Sequence, residues 1–124
     1  MNLRTSLAVG LGSAAVVWAV VGTLWGWRQI LQADADRVAT LTATLETLVI
    51  EPPDSASRAM LVAALQEAGE RYRHVDAGGG KPLVDIHQDR LRRIATVVAD
   101  PAFSGSATVI AAAMRLQEIL DASW

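Results

Sequence analysis

Apolar and polar positions divide the chain into one unbroken apolar stretch followed by four segments of helical periodicity. Between Arg4 and Arg28 no residue is charged. The stretch 7–27 amounts to about 31 Å of helix at 1.5 Å per residue, against a hydrocarbon core of roughly 30 Å. That length predicts one membrane crossing. A cleaved signal peptide is the competing reading, but its apolar region usually runs only about 7 to 15 residues to a small-residue cleavage site. Val17-Trp18-Ala19 is a poor site of that kind. Trp25, Trp27 and Arg28 together predict an interfacial anchor, aromatic and cationic, which a discarded peptide would not need.

After Trp27 no strand alternation of any length occurs, and the pattern changes from continuous to heptad. Leu31, Asp34, Val38, Leu41, Leu45 and Leu48 follow one seam, and nothing interrupts the helix before Glu51-Pro52-Pro53. A single rod of about 48 residues is implied. A second helix, 55–75, is expected to be capped by Asp54 or Ser55, with Leu61, Leu65, Ala68, Tyr72 and Val75 inward and a Glu67–Arg71 pair on the wet side. Gly78-Gly79-Gly80-Lys81-Pro82 separates it from a third, 83–99, with Val84, His87, Leu91, Ile94 and Val98 inward. Ile86 and Val97 fall off that face, which suggests a helix buried on two sides or paired with a second protomer. The fourth, 105–122, is capped by Ser104 or Ser106 and places Val109, Ala113, Leu116 and Leu120 inward. Similar lengths and short connections predict consecutive helices as antiparallel neighbours. The expected fold class is therefore all-α: a single N-terminal transmembrane helix, 1–28 with its tail, continuing into a small up-and-down four-helix bundle at 29–124.

Composition narrows the partners. The 124 residues hold eleven basic and thirteen acidic side chains. Only Arg4 precedes Arg28, so ten basic groups face thirteen acidic ones in the outer domain, a balance of about −3 that disfavours a phosphate-neutralising surface and hence nucleic acid. There is no cysteine, which excludes disulfides, thiolate metal sites and a Cys nucleophile. Arg is far commoner than Lys and Ala is abundant, a bias that suggests a GC-rich bacterium or its phage.

Within the membrane stretch Ala8, Gly12, Ala15, Ala19, Gly22 and Gly26 alternate steps of four and three and line one helical face, including a GxxxG pair. Helices in lipid associate through such close-approach grooves, so this seam is expected to pack against a partner's membrane helix or a second copy. Chance clustering of frequent Gly and Ala gives the same pattern. The heptad seam lies about 200° round the axis from it and is the other expected partner face. Asp34, its charged member, reads as a solvated near-membrane position or as a register-setting contact. Basic charge is nearly balanced across the span, Arg4 and the terminal amine against Arg28 and Arg37. The reading adopted places the tail inside and the domain outside a bacterial inner membrane.

Candidate chemistry is sparse. Gly78-Gly79-Gly80-Lys81 resembles a phosphate loop only superficially: a Walker loop needs spaced glycines, a hydroxyl residue after the Lys and a preceding strand, and here Pro82 follows and a helix precedes. His74 and His87 fall near one end of the bundle, with Asp76, Asp85 and Asp89 close in sequence, but nothing fixes a metal geometry. No Ser–His–carboxylate or opposed carboxylate pair is present. Arg90, Arg92 and Arg93, offset by Asp85 and Asp89, read as a solvated face, and Trp124 as a bundle-end or docking side chain. No catalytic residue, metal or cofactor is expected. Three functions remain: a noncatalytic membrane-anchored accessory or assembly subunit docking through its membrane and heptad faces, a tethered ligand-sensing module, and a phage lysis or envelope protein. The second resembles in architecture the outer part of bacterial receptors, without a diagnostic motif.

Overall fold

A computed structural model describes the backbone of residues 3–122 and the side chains of residues 21–122. Among these residues the chain is all-helical, with α1 Leu3–Leu48, α2 Ser55–Ala77, α3 Lys81–Ala99, a single-turn α4 Pro101–Ser104 and α5 Ala107–Ala122. It divides into two units, residues 1–30 and 31–124.

The helix ends follow local chemistry. Past Leu48, Val49 N–H still reaches the Leu45 carbonyl at 3.0 Å, and Pro52 and Pro53, lacking N–H donors, prevent continuation. Asp54 then caps α2, its carboxylate accepting the Ser57 N–H at 2.8 Å, which satisfies one of the donors that a helix start leaves free. The end of α2 uses the glycines: Gly79 adopts φ +83°, and Gly80 N–H bonds the Val75 carbonyl at 2.8 Å. Pro82 sits in the first turn of α3, where its missing donor is harmless. Asp100 ends α3 and its side chain accepts the Ala102 N–H, opening α4. The stretch expected to be a plain connection thus contains a helical turn, closed by Gly105 at φ +66°.

In the outer unit every position expected on the inner faces of the last three long helices is buried. From α1, Leu31, Ala35, Val38, Leu41, Thr42 and Leu45 are buried; at 100° per residue they occupy an arc of about 120°. Thr42, fully buried, donates its hydroxyl to the Val38 carbonyl at 2.7 Å, so no polar atom of that side chain is stranded. The heptad seam is thereby covered by the chain's own helices.

Directions alternate as expected, but the neighbours differ. The outer half of α1 runs antiparallel to α2, with Asp34 meeting Arg71 and Arg37 meeting Glu67, and lies along α3 through Glu46 and Arg90. The helix α5 packs against both α2 and α3, whereas α2 and α3 meet far less extensively. Round the bundle the order is α1, α2, α5, α3, with the α2–α3 link crossing a diagonal. Small residues explain it: Ala64, Ala68 and Gly69 of α2 and Ala112 and Ala113 of α5 are buried, so these two parallel helices approach closely. A Cβ at Gly69 would stand 2.9 Å from Ile119 Cδ1.

Candidate functional site

Residues 21–30, the part of the first unit whose side chains are described, expose apolar side chains without a polar counter-face. Val21, Leu24, Trp25, Trp27 and Ile30 are all more than half exposed, Trp25 at 65%. Stepped 100° per residue, they cover about 220° of the helix circumference, and the remaining arc of about 140° holds Gly22, Gly26 and Gln29. Arg28 lies among them, also exposed. A Cβ placed at Gly22 or Gly26 would meet no atom within 4 Å, so this part of the small-residue face is open. Ala8, Gly12, Ala15 and Ala19 lie outside the described side chains, as does Trp124. Among the described residues no helix is long and apolar enough to cross a membrane. The expected span, 7–27, falls mostly before residue 21, and the described residues alone give the transmembrane helix no support.

Where α1 enters the outer unit, charge is organised across helices. Asp34 Oδ1 lies 2.5 Å from Arg71 Nη1, its side chain 17% exposed. The reading of Asp34 as a solvated position is therefore corrected: the aspartate sits on the seam's edge and faces α2. Arg37 Nε and Nη2 hold both oxygens of Glu67 at 2.7 and 2.8 Å, a fork geometry suited to guanidinium. This pairing holds the Glu67 carboxyl below its ordinary range. Arg71 also approaches Glu67 at 3.4 Å, the expected i,i+4 pair. The clamp between α1 and α2 was not visible in the sequence, because a partner thirty residues away has no local signal.

In the arginine cluster of α3, Arg92 and Arg93 are exposed as expected, and two of the three also form ion pairs. Arg90 pairs with Glu46, and Arg92 with Asp121 at 3.2 Å. Arg92 and Gln88 both donate to the Leu120 carbonyl at 3.3 Å, satisfying an acceptor that the end of α5 leaves open. Ile86 and Val97 are 74% and 48% exposed within the single chain, so α3 is not buried on two sides by its own fold.

The histidines do not build a metal centre. Among the described residues no three His, Asp or Glu side chains are placed to hold a metal ion. His74 is exposed and His87 buried. The Nδ1 of His87 is sealed from solvent and has no hydrogen-bond partner. Burial, with help from the Arg90 charge, lowers its pKa from the ordinary imidazole value, since both disfavour the protonated ring. Gly78 to Gly80 terminate α2 as described, and no phosphate cradle forms.

Sequence reasoning also missed an open groove of about 540 Å³ between the first halves of α2 and α5. Its apolar lining includes Ala59, Val62, Ala63 and Val109, and Arg58 is its one charged residue. The Nε of Arg58 is shielded from solvent without a hydrogen-bond partner. A run of small residues on α2 was the available signal, but the groove exists only because α5 lies beside α2.

No family model, no curated protein and no solved structure matches the chain. Its function is thus argued from the residues alone.

Proposed function

We propose that the chain is a noncatalytic, membrane-tethered helical module, an accessory or assembly subunit of a bacterial or phage membrane complex. The first helix enters the bilayer and the bundle stands outside the inner membrane. The observation that carries this reading is the apolar surface of Val21 to Ile30. A water-facing helix keeps a polar face, as the half of α1 after residue 30 does; one that shows Leu, Ile, Val and Trp over most of its circumference and two glycines in the rest is suited to lipid or to another protein. The uncharged run before it supplies the length of a crossing, and Trp25, Trp27 and Arg28 supply a boundary. Small residues at Gly22 and Gly26, open on the helix surface, suit close approach of a second membrane helix. The heptad seam has a different role, forming the bundle's own core, so docking is assigned to the membrane face.

The test is fractionation of cells expressing the full chain, followed by alkaline washing of the membranes and crosslinking through a cysteine placed at Gly22. Retention in washed membranes with a specific crosslinked partner or self-dimer is expected. Recovery of the intact chain in the aqueous fraction, without detergent, would overturn the tether. A chain that stays in the membrane and crosslinks equally from Gly22 and from Leu24 would overturn the docking face.

A further inference from the structure

We infer that the groove between α2 and α5 is a binding site for a small amphipathic carboxylate, one negative charge carried on a compact apolar or aromatic body, with Arg58 as its charge partner. The inference is independent of the membrane reading.

The space suits such a ligand. Small-molecule sites typically occupy about 300 to 1,000 Å³ and combine an apolar lining with a few polar groups, and this groove offers about 540 Å³. Val62, Ala59, Ala63 and Val109 provide apolar surface, while Ser106 and Thr108 bring hydroxyls and Gln66 an amide. No carboxylate lines it.

The charge requirement comes from Arg58. Arg37, Arg71, Arg73, Arg90, Arg92 and Arg115 each stand in an ion pair. Arg58 lines the groove and stands in no ion pair among the described residues; its Nε is closed off, so an anion would meet the guanidinium's outer end. Asp54, one turn before Arg58, feels that charge, though less than its own capping bonds: its carboxylate accepts the Ser57 N–H and lines a separate cleft with Pro52 and Pro53. A ligand carboxylate in the groove would therefore supply the close counter-charge that the guanidinium lacks. The groove also takes in the first turn of α5, whose first intrahelical bond runs from Ile110 N–H to the Ser106 carbonyl. Amides before that bond add partial positive charge to the guanidinium's full one. One guanidinium with no lysine beside it matches a singly charged carboxylate better than a phosphate, which draws on several cations.

The experiment is a proton–nitrogen NMR titration of the full chain in detergent micelles, with cinnamate and the isosteric neutral cinnamamide as probes. Cinnamate is expected to shift the Arg58 side-chain N–H and the amides of Val62, Thr108 and Val109 saturably, and to bind at least about tenfold more tightly than the amide. Micelle partition favours the neutral compound, so it works against this preference and cannot produce it. Arg58→Gln should abolish the preference, and Val62→Trp, which fills the groove without touching the charge, should abolish binding of both. Circular dichroism of each variant should match that of the parent chain. Equal affinity for acid and amide, shifts located elsewhere, indifference to both substitutions, or no saturation below about 10 mM would each overturn the assignment.

Discussion

His87 shows how one side chain can tie the stability of the outer unit to pH. It lies on the inner face of α3 between Val84 and Leu91, with Nδ1 unpartnered and its pKa lowered by burial and by Arg90. The unfolded chain, with an ordinary imidazole near pH 6.5, therefore takes up the proton before the folded one does. His87 stabilises the fold fully above about pH 6.5, and that contribution is lost as pH falls from there to the lower folded value. The capping Asp54 and the clamped Glu67 are also lowered, but their contributions fade only in the more acidic carboxylate range. Urea unfolding at about pH 7.5 and pH 5.5 thus brackets the imidazole range, and comparison with a His87 variant isolates that ring. The parent chain is expected to lose stability between the two, and His87→Leu, which fills the site without a titrating group, is expected to lose less. Equal slopes in the two proteins would show that the ring is not what the proton acts on.

At the scale of elements, helix limits follow local chemistry, and helix order follows from packing between distant segments. The breaks at Pro52-Pro53, at the three glycines and at Asp100-Pro101 were legible because proline and glycine act on their own backbone. The inward faces were legible for the same reason, since a 3.6-residue period needs no knowledge of what covers it. What remained hidden was α5 lying beside α2, and with it the groove, the Asp34–Arg71 pair and the Arg37–Glu67 fork. These join residues thirty or more positions apart. Two glycines separate the kinds of information. At Gly80 a Cβ would stand 2.8 Å from Val75 Cγ1 and 3.2 Å from the Val75 carbonyl oxygen, and backbone cannot move aside. Gly80→Ala is expected to destabilise by about 1–3 kcal/mol. At Gly69 the clash is with the mobile end of Ile119, and the helix gains roughly 1 kcal/mol of propensity from alanine. Gly69→Ala should therefore fall within about 1 kcal/mol of the parent in either direction. Unfolding midpoints that reverse this order would mean that the α2–α3 turn is looser than its geometry and that the α2–α5 contact is tighter.

On the scale of the molecule, the core and the densest run of exposed apolar side chains belong to different parts of the chain. The buried cluster runs from Ala35 to Leu120, entirely within the unit of residues 31–124, and draws on α1, α2, α3 and α5. Among the described residues, all its members come from residue 35 onward. The exposed apolar run from Val21 to Ile30 belongs to the other unit. If lipid is the solvent for the first unit and water for the second, the two can be separated without loss of fold. A chain beginning at Leu31 is then expected to remain in solution without detergent, to keep its helical circular dichroism and to unfold cooperatively in urea, as a single-core domain of this size does. It should fail to float with lipid vesicles, whereas the full chain should float. A fragment that aggregates or loses helicity would mean that the bundle draws stability from the first unit after all. Aggregation would also point to Ile50, Met60, Leu83, Ile86, Val97 and Met114, the large apolar side chains that the bundle leaves exposed, as a surface that needs covering. A fragment that folds yet still floats would move the membrane contact onto the bundle. The boundary near residue 30 is thus a claim about solvent as well as about contacts, and flotation of the shortened chain separates the two.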